Sequence, residues 1–203
     1  MEVGMADYAH QAATSGSLYI ATVTEYDLYC HYVGGLVGEG LTAIWSASGK
    51  EASWFRNELG LANSMGLLLQ KTNIIRDFRE DAEEHRFFWP REIWAKYGFN
   101  ELTELYRRGN VERATWIQSE MILDALRHAC DSLDYLRLIK NQSILVFCAV
   151  PSCVAMATLA FCFMNPDLFQ RSVAIRKAEA ARVWGSPSLN VVRTDQFTFH
   201  MSS

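Results

Sequence analysis

Residues 144 to 164 read ILVFCAVPSCVAMATLAFCFM, a run of 21 residues without a charge. No other stretch limits the possible folds as strongly. A run of that length either spans a bilayer or lies among other helices that cover it. Pro151 interrupts it, Lys140 precedes it, and small residues are scattered through it. Hydropathy leaves both readings open.

The rest of the chain carries little strand signal and no short-period repeat, so an all-α fold is expected. Residues 1 to 24 are small and polar and include the loop-like Thr14-Ser15-Gly16-Ser17. Tyr26 to about Ala47 is apolar and glycine-rich, and Ser46 to Ser53 is turn-like. Asn57 to about Asp81 reads as one long helix. At 100° per residue Leu61, Met65, Leu68, Thr72 and Ile75 form one stripe, with Gln70, Asn73, Asp77, Glu80 and Asp81 opposite. Pro90 ends that region. Helices are then expected over Arg91–Tyr97, Val111 to about Lys140, 143–164, and Pro166 to about Arg182. After Trp184 the helical period is lost, so 183–203 reads as a divergent, unstructured tail.

Bulk properties exclude some functions. Net charge is −4, with no Lys/Arg-rich block, so a nucleic-acid surface has no support. Five cysteines occur without a CxxC pair or a Cys/His cluster, and read as reduced core residues of an intracellular protein. The first residues have neither the basic start nor the apolar run of a secretory signal. Gly38-Glu39-Gly40-Leu41-Thr42-Ala43 fits the dinucleotide fingerprint G-x-G-x-x-A, but no βαβ unit surrounds it and the match is rejected.

The sharpest chemical feature is Asp77-Phe78-Arg79-Glu80-Asp81. On a helix its carboxylates lie at i, i+3 and i+4, on one face. Oxygen donors without Cys or His suit Mg²⁺, which commonly bridges carboxylates to substrate phosphates. An acidic turn in solvent with local arginine partners has the same spacing. Gln70 and Asn73, on that stripe, can position waters or phosphate oxygens. Gly34, Gly35, Gly38 and Gly40 crowd one predicted helix; they allow close helix approach or room for a long apolar chain, or they form a loop.

Three blocks together resemble a known family. Leu61 to Gly98 (LANSMGLLLQKTNIIRDFREDAEEHRFFWPREIWAKYG) looks like the second aspartate-rich segment of squalene synthases. Tyr29 to Leu41 (YCHYVGGLVGEGL) is similar to their tyrosine motif, and Asn141 to Ala160 (NQSILVFCAVPSCVAMATLA) to their third block. The blocks keep the family's order over residues 1 to 182. The resemblance implies a partial isoprenoid (terpenoid) synthase type I helical fold, in which 143–164 is a buried helix. It implies Mg²⁺-dependent coupling of two farnesyl diphosphates to presqualene diphosphate, then NADPH-dependent reduction to squalene. Asp77, Glu80 and Asp81 would then hold metal, and Gln70, Asn73, Val33 and Gly38 would contact substrate. Tyr29 would be catalytic and Phe147 would face the carbocation; otherwise both are ordinary core aromatics. Arg76 and Arg176 would serve the cofactor, although Ala174 stands where the family usually carries lysine.

The family's first aspartate-rich motif, expected upstream of MEVGMADY, and its C-terminal membrane anchor have no counterpart in this sequence. The chain is therefore expected to be a truncated or mis-spliced portion, aggregation-prone alone and monomeric if complete. By resemblance it belongs at the cytosolic face of the endoplasmic reticulum, or in the cytosol without the anchor. Phytoene-type synthases, which need no NADPH, and a catalytically inactive helical interaction protein are the alternatives.

Overall fold

The computed structural model of this 203-residue chain describes residues 2–15 and 18–174. Among them the architecture is helical. In chain order the helices are α1 (Glu2–Ser15), α2 (Val23–Cys30), α3 (Leu36–Ala47), α4 (Leu59–Arg76), α5 (Phe78–Glu83), α6 (Arg91–Trp94), α7 (Val111–Leu126), α8 (Ala129–Leu138) and α9 (Gln142–Cys162). A π-helical segment, His31–Gly35, joins α2 to α3. Strands β1 (Leu18–Tyr19) and β2 (Arg86–Phe87) form a two-residue parallel ladder, with Leu18 opposite Arg86 and Tyr19 opposite Phe87.

Helix α4 is the axis of the fold and packs against α2, α3, α5, α7, α8 and α9. The expected apolar stripe is in place: Met65, Leu68, Thr72 and Ile75 are buried and Leu61 is half-buried. Burial extends further round the helix, to Ser64, Lys71 and Ile74, because neighbours surround α4. One core cluster gathers Tyr26, Tyr29, Ile75, Phe78, Trp89, Trp94, Ile117 and Phe169. A second gathers Phe55, Met65, Tyr135, Ile144 and Cys148.

Glycines permit the closest crossing. A Cβ on Gly34 would lie 2.6 Å from the Gly66 carbonyl oxygen, and one on Gly66 2.4 Å from that of Gly34. A Cβ on Gly38 would meet the Ala62 carbonyl at 2.5 Å, so backbones touch where α4 passes the π segment and α3. Close approach therefore explains Gly34 and Gly38. Gly40 has open space around it.

Charge pins the same axis. Lys71 is fully buried, yet its Nζ donates to Asp27 of α2 and, at 2.5 Å, to Asp124 of α7. Arg127 reaches both carboxylates, and Lys71 lies 5.0 Å from the centre of the Tyr26 ring.

Helix ends follow local chemistry. The Thr22 hydroxyl accepts from Glu25 N at 3.1 Å, and the Glu92 carboxylate accepts from Val23 N at 2.9 Å, so α2 is capped by its own sequence and by α6. The Asn141 side chain accepts from Ser143 N and Ile144 N, and buried Glu51 accepts from Lys140 N and Asn141 N.

Several expectations need correction. The small, polar region 1 to 24, for which no helix was expected, holds α1, whose Tyr8 packs into the first cluster. The long helix to Asp81 stops at Arg76; Asp77 (φ −90°, ψ 12°) starts a new one. The expected helix from Val111 to Lys140 turns at Arg127–His128. Of the helix expected from Pro166 to about Arg182, the described part is a short 3₁₀ turn, Pro166–Phe169, followed by irregular chain over 170–174, and the part from 175 onward lies outside the described residues. Four of the cysteines are buried or half-buried, but Cys130 is exposed. The tail 183–203 lies outside the described residues. Helix α9 is long and apolar enough to cross a membrane. It is covered on one face rather than all round: Ile144, Cys148, Ser152, Ala155 and Leu159 face inward, while Phe147, Met156 and Phe161 are exposed.

Three outcomes are expected in denaturant and thermal unfolding. Gly66→Ala destabilises by about 1–3 kcal/mol, because two backbones must separate, whereas Gly40→Ala stabilises by about 0.5–1 kcal/mol. Lys71→Met destabilises by about 3 kcal/mol, the low end for breaking a buried pair, because Arg127 still meets both carboxylates. Burial opposes the charge of Asp27, but hydrogen bonds and charge from Lys71 and Arg127 outweigh it, and its pKa is lowered from 3.8. That stabilisation is present above the unfolded value and is lost as pH falls through the folded one. In Lys71→Met the acid-side loss shrinks.

Candidate active site

Helix α4 ends next to the acidic sequence, and the step at Asp77 decides how its carboxylates lie. Hydrogen bonding continues through the step: Asp77 N donates to Asn73 O at 2.8 Å and Asp81 N to Asp77 O at 2.9 Å. The rotation of α5 is set by Phe78 and Ala82, both buried. Phe78 packs on Trp89 with ring centres 4.5 Å apart. Asp81 is thereby turned inward and is 8% exposed, while Glu80 stays exposed. The expected polar stripe is correct for Asn73 and Glu80 and incorrect for Asp81.

Each aspartate has an arginine. Arg76 takes both oxygens of Asp77, Nε to Oδ1 at 2.7 Å and a terminal nitrogen to Oδ2 at 2.6 Å. Arg86 directs two nitrogens at one oxygen of Asp81, Oδ1, at 3.0 and 2.7 Å, and also contacts Glu84. Burial raises the Asp81 pKa; Arg86 opposes this, and Asp77 and Glu84 add to it. Arg86 is carried there by the β1–β2 ladder and by His85, whose φ of 58° lies in the left-handed region. For a residue with a side chain such a conformation costs about 1–3 kcal/mol. Among the described residues, no group of three or more His, Cys, Asp or Glu is arranged to hold a metal ion.

Tyr29, on the last turn of α2, is buried between Tyr8 of α1 and Phe88, with ring centres at 5.1 and 5.0 Å. Burial pushes its phenol up to about 12, with Cys30 and Asp81 adding to the shift and Arg86 opposing it. Tyr29, Asp81 and Arg86 thus share one electrostatic environment. At neutral pH the phenol is a proton donor.

The other expected site residues are more dispersed. Gln70 is half-buried on α4, across from Gly34, and Asn73 is exposed one turn before Asp77. Val33 is half-buried against the first cluster, and Gly38 is engaged by the Ala62 backbone. Phe147 lies on α9, 60% exposed, with its ring edge-on to Trp45 of α3 at 5.9 Å. It stands at the second cluster, whereas Tyr29 belongs to the first. Ala174 is exposed, and Arg176 lies outside the described residues. Sequence reasoning missed Tyr8, Arg86 and Phe88. The last two were present in the quoted HRFFWP segment, but nothing in their spacing marks them.

The raised phenol is directly measurable. In ¹³Cζ-tyrosine NMR, the resonance assigned by its loss in Tyr29→Phe stays flat from neutral pH to about pH 10, where an ordinary phenol is half ionised. A midpoint at or below that value contradicts the buried environment.

Comparison with known proteins converges on one group. The family profile described as squalene/phytoene synthase matches residues 1–179. The squalene synthase of Ganoderma lucidum is 63% identical over 191 residues, covering 89% of this chain and 41% of the relative. The squalene synthase of Homo sapiens is 43% identical over 180 residues, again covering 89% and 41%. Among solved structures, TcSQS in complex with the ligand BPH1237 superposes with a TM-score of 0.81 at 40% identity, covering 87% of this chain and 53% of that one. The chain therefore spans about two fifths of these curated relatives' length.

Proposed function

The chain belongs to the squalene/phytoene synthase family, and on that premise we propose that it carries the second acidic motif and the tyrosine motif of a squalene synthase. The reaction is head-to-head coupling of two farnesyl diphosphates to presqualene diphosphate, followed by NADPH-dependent reduction to squalene. The observation that supports this reading best is the burial of Asp81 under the two-nitrogen grip of Arg86, with both charges acting on the buried Tyr29 phenol.

The donor chemistry fits Mg²⁺. Asp77 and Asp81 offer hard oxygens one turn apart, with the Asn73 amide a turn earlier. Mg²⁺ is commonly held by one or two carboxylates plus phosphate and water. Asp77 and Asp81 would hold it, with Glu80 at the solvent side, and when bound it supplies Lewis acidity to a departing diphosphate. Arg76 is half-exposed, so its guanidinium is available to an anionic oxygen once it leaves Asp77. The first step releases one diphosphate and one proton. Because Tyr29 holds its own proton at neutral pH, its Oη acts as donor to diphosphate oxygen, and the released diphosphate accepts the proton from carbon. Gln70 and Asn73 orient phosphate oxygens. Val33 and Gly38 lie along the segment beside them. The exposed ring of Phe147 offers a negative face to positive charge.

NADPH is less well served. The G-x-G-x-x-A match lies inside helix α3, with no strand before it, and the described residues offer Arg76 alone of the expected cofactor contacts. In the family, attachment to the endoplasmic reticulum membrane uses an anchor outside the regions matched by resemblance, and that location is proposed for the whole enzyme.

The test uses labelled farnesyl diphosphate with Mg²⁺ and NADPH, applied to the chain alone and together with the remaining portion of a full-length relative. Squalene from the combination is the expected result. Tyr29→Phe should lower turnover about 10²-fold or more with substrate affinity retained. Phytoene-type product formed without NADPH would move the chain to the other branch. Folded protein that yields no coupled product in any combination would favour an inactive helical interaction protein.

A further inference from the structure

We propose that Arg86 is a positioning residue for the acidic motif: it grips one oxygen of Asp81 so that the other is presented to a divalent cation. The inference rests on the metal-holding reading of Asp77 and Asp81 given above.

The two arginine–aspartate pairs differ in kind. Arg76 and Asp77 are sequence neighbours, about a third exposed each, and the guanidinium covers both carboxylate oxygens. Such a pair is readily exchanged for other partners. Arg86 and Asp81 are differently made. Asp81's side chain is 12% exposed, and both guanidinium nitrogens converge on Oδ1. No hydrogen bond reaches Oδ2 among the described residues. A carboxylate held in this way cannot turn freely, and a single oxygen remains for a ligand. A carboxylate or carbonyl that holds a metal ligand by its far side sets both its angle and its basicity; here a guanidinium does so for a carboxylate.

The surrounding backbone fixes the guanidinium in turn. Arg86 follows His85, which adopts a left-handed conformation, and its own backbone lies in the ladder opposite Leu18. Ile20 N donates to Phe87 O at 3.3 Å, one residue further on. The turn that brings Arg86 back onto Asp81 is therefore anchored on both sides.

The test is a titration of the full 203-residue chain with Mn²⁺ alone, read by EPR and water-proton relaxation. Arg86→Gln and Arg86→Lys are compared with the unaltered protein. Simple electrostatics predicts that Arg86→Gln tightens Mn²⁺ binding and that Arg86→Lys changes nothing. Positioning predicts the reverse: both variants weaken binding about 10- to 100-fold, because neither glutamine nor lysine makes the two-nitrogen grip. Phe55→Leu, in the second cluster and away from the acidic motif, controls for general loss of stability and should keep the affinity of the unaltered chain. Unchanged or tighter binding in Arg86→Gln overturns the inference, as does a Phe55→Leu loss equal to that of the Arg86 variants. Full affinity in Arg86→Lys overturns it too, because charge alone would then suffice. If the unaltered chain binds no Mn²⁺, the metal-holding reading of the acidic motif fails and this inference with it.

Discussion

The fold depends on one ion cluster: a lysine with no exposure, Lys71, held between Asp27 and Asp124. An unpaired charge in that position would cost several kcal/mol, so the two carboxylates are a requirement of the helix arrangement. Their positions in the chain matter more than their number. Asp27 lies on α2, two residues before Tyr29, and Asp124 lies on α7, so the cluster ties the phenol-bearing helix and the far side of the core to α4. Arg127 completes the charge balance with Asp27 and Asp124. His128 next to it is kept toward its neutral form by burial and by the Lys71 and Arg127 charges. The cluster adds specificity that an apolar contact lacks, because only one rotation of α4 puts Lys71 between both partners.

A second constraint acts on the same helix without charge. Gly34 and Gly66 bring two backbones into contact, a distance that any side chain would prevent. The segment that touches α4 there is the π-helical turn, and the His31 ring is bound to Asn63 of α4 at 2.7 Å. A π turn places one more residue in the turn than an α-helix does, so it shifts the phase between α2 and α3. Tyr29 can then face Phe88 and Tyr8 while α3 still lays Gly38 on Ala62. The ion cluster sets the rotation of α4, and the glycine contact sets its distance.

Periodicity made α4 readable, since Met65, Leu68, Thr72 and Ile75 are buried as the 3.6-residue pattern requires. It could not reveal Lys71, which a pattern assigns to solvent; its partners lie 44 and 53 residues away. The break at Asp77 was equally hidden, because the α5 rotation is dictated by Phe78 meeting Trp89 and Phe169, which are long-range contacts. Helix α1 escaped notice because residues 2–15 carry a weak apolar face, and the structure uses it mainly through Tyr8 and through Gly4 against Tyr32. The three resembling blocks named Tyr29, Asp77 and Asp81 as site residues, and in the fold the Asp81 charge acts on the Tyr29 phenol. They gave no indication that Phe147 would stand beside Trp45 or that Tyr8 would cover the phenol.

The acidic motif illustrates how far spacing can go. Two readings fitted it: a cation site, and an acidic turn balanced by arginines. The structure contains the arginines, with Arg76 on Asp77, Arg79 on Glu83, and Arg86 on Asp81 and Glu84. Taken alone, those pairs describe a surface turn. Burial separates the pairs, since exposed ones such as Arg79–Glu83 contribute little and need no further explanation. Asp81 is different: its charge is drawn into a low-dielectric setting, its pKa rises despite the guanidinium, and one oxygen lacks a hydrogen-bond partner among the described residues. A carboxylate is desolvated in this way at a net cost in stability, and the sequence around it adds a strained His85 to keep the arginine in place. Stability alone would favour an apolar residue at 81 and a glycine at 85. The residues present are those expected where a local loss of stability maintains a charge, held by Arg86 and acting on a protonated phenol.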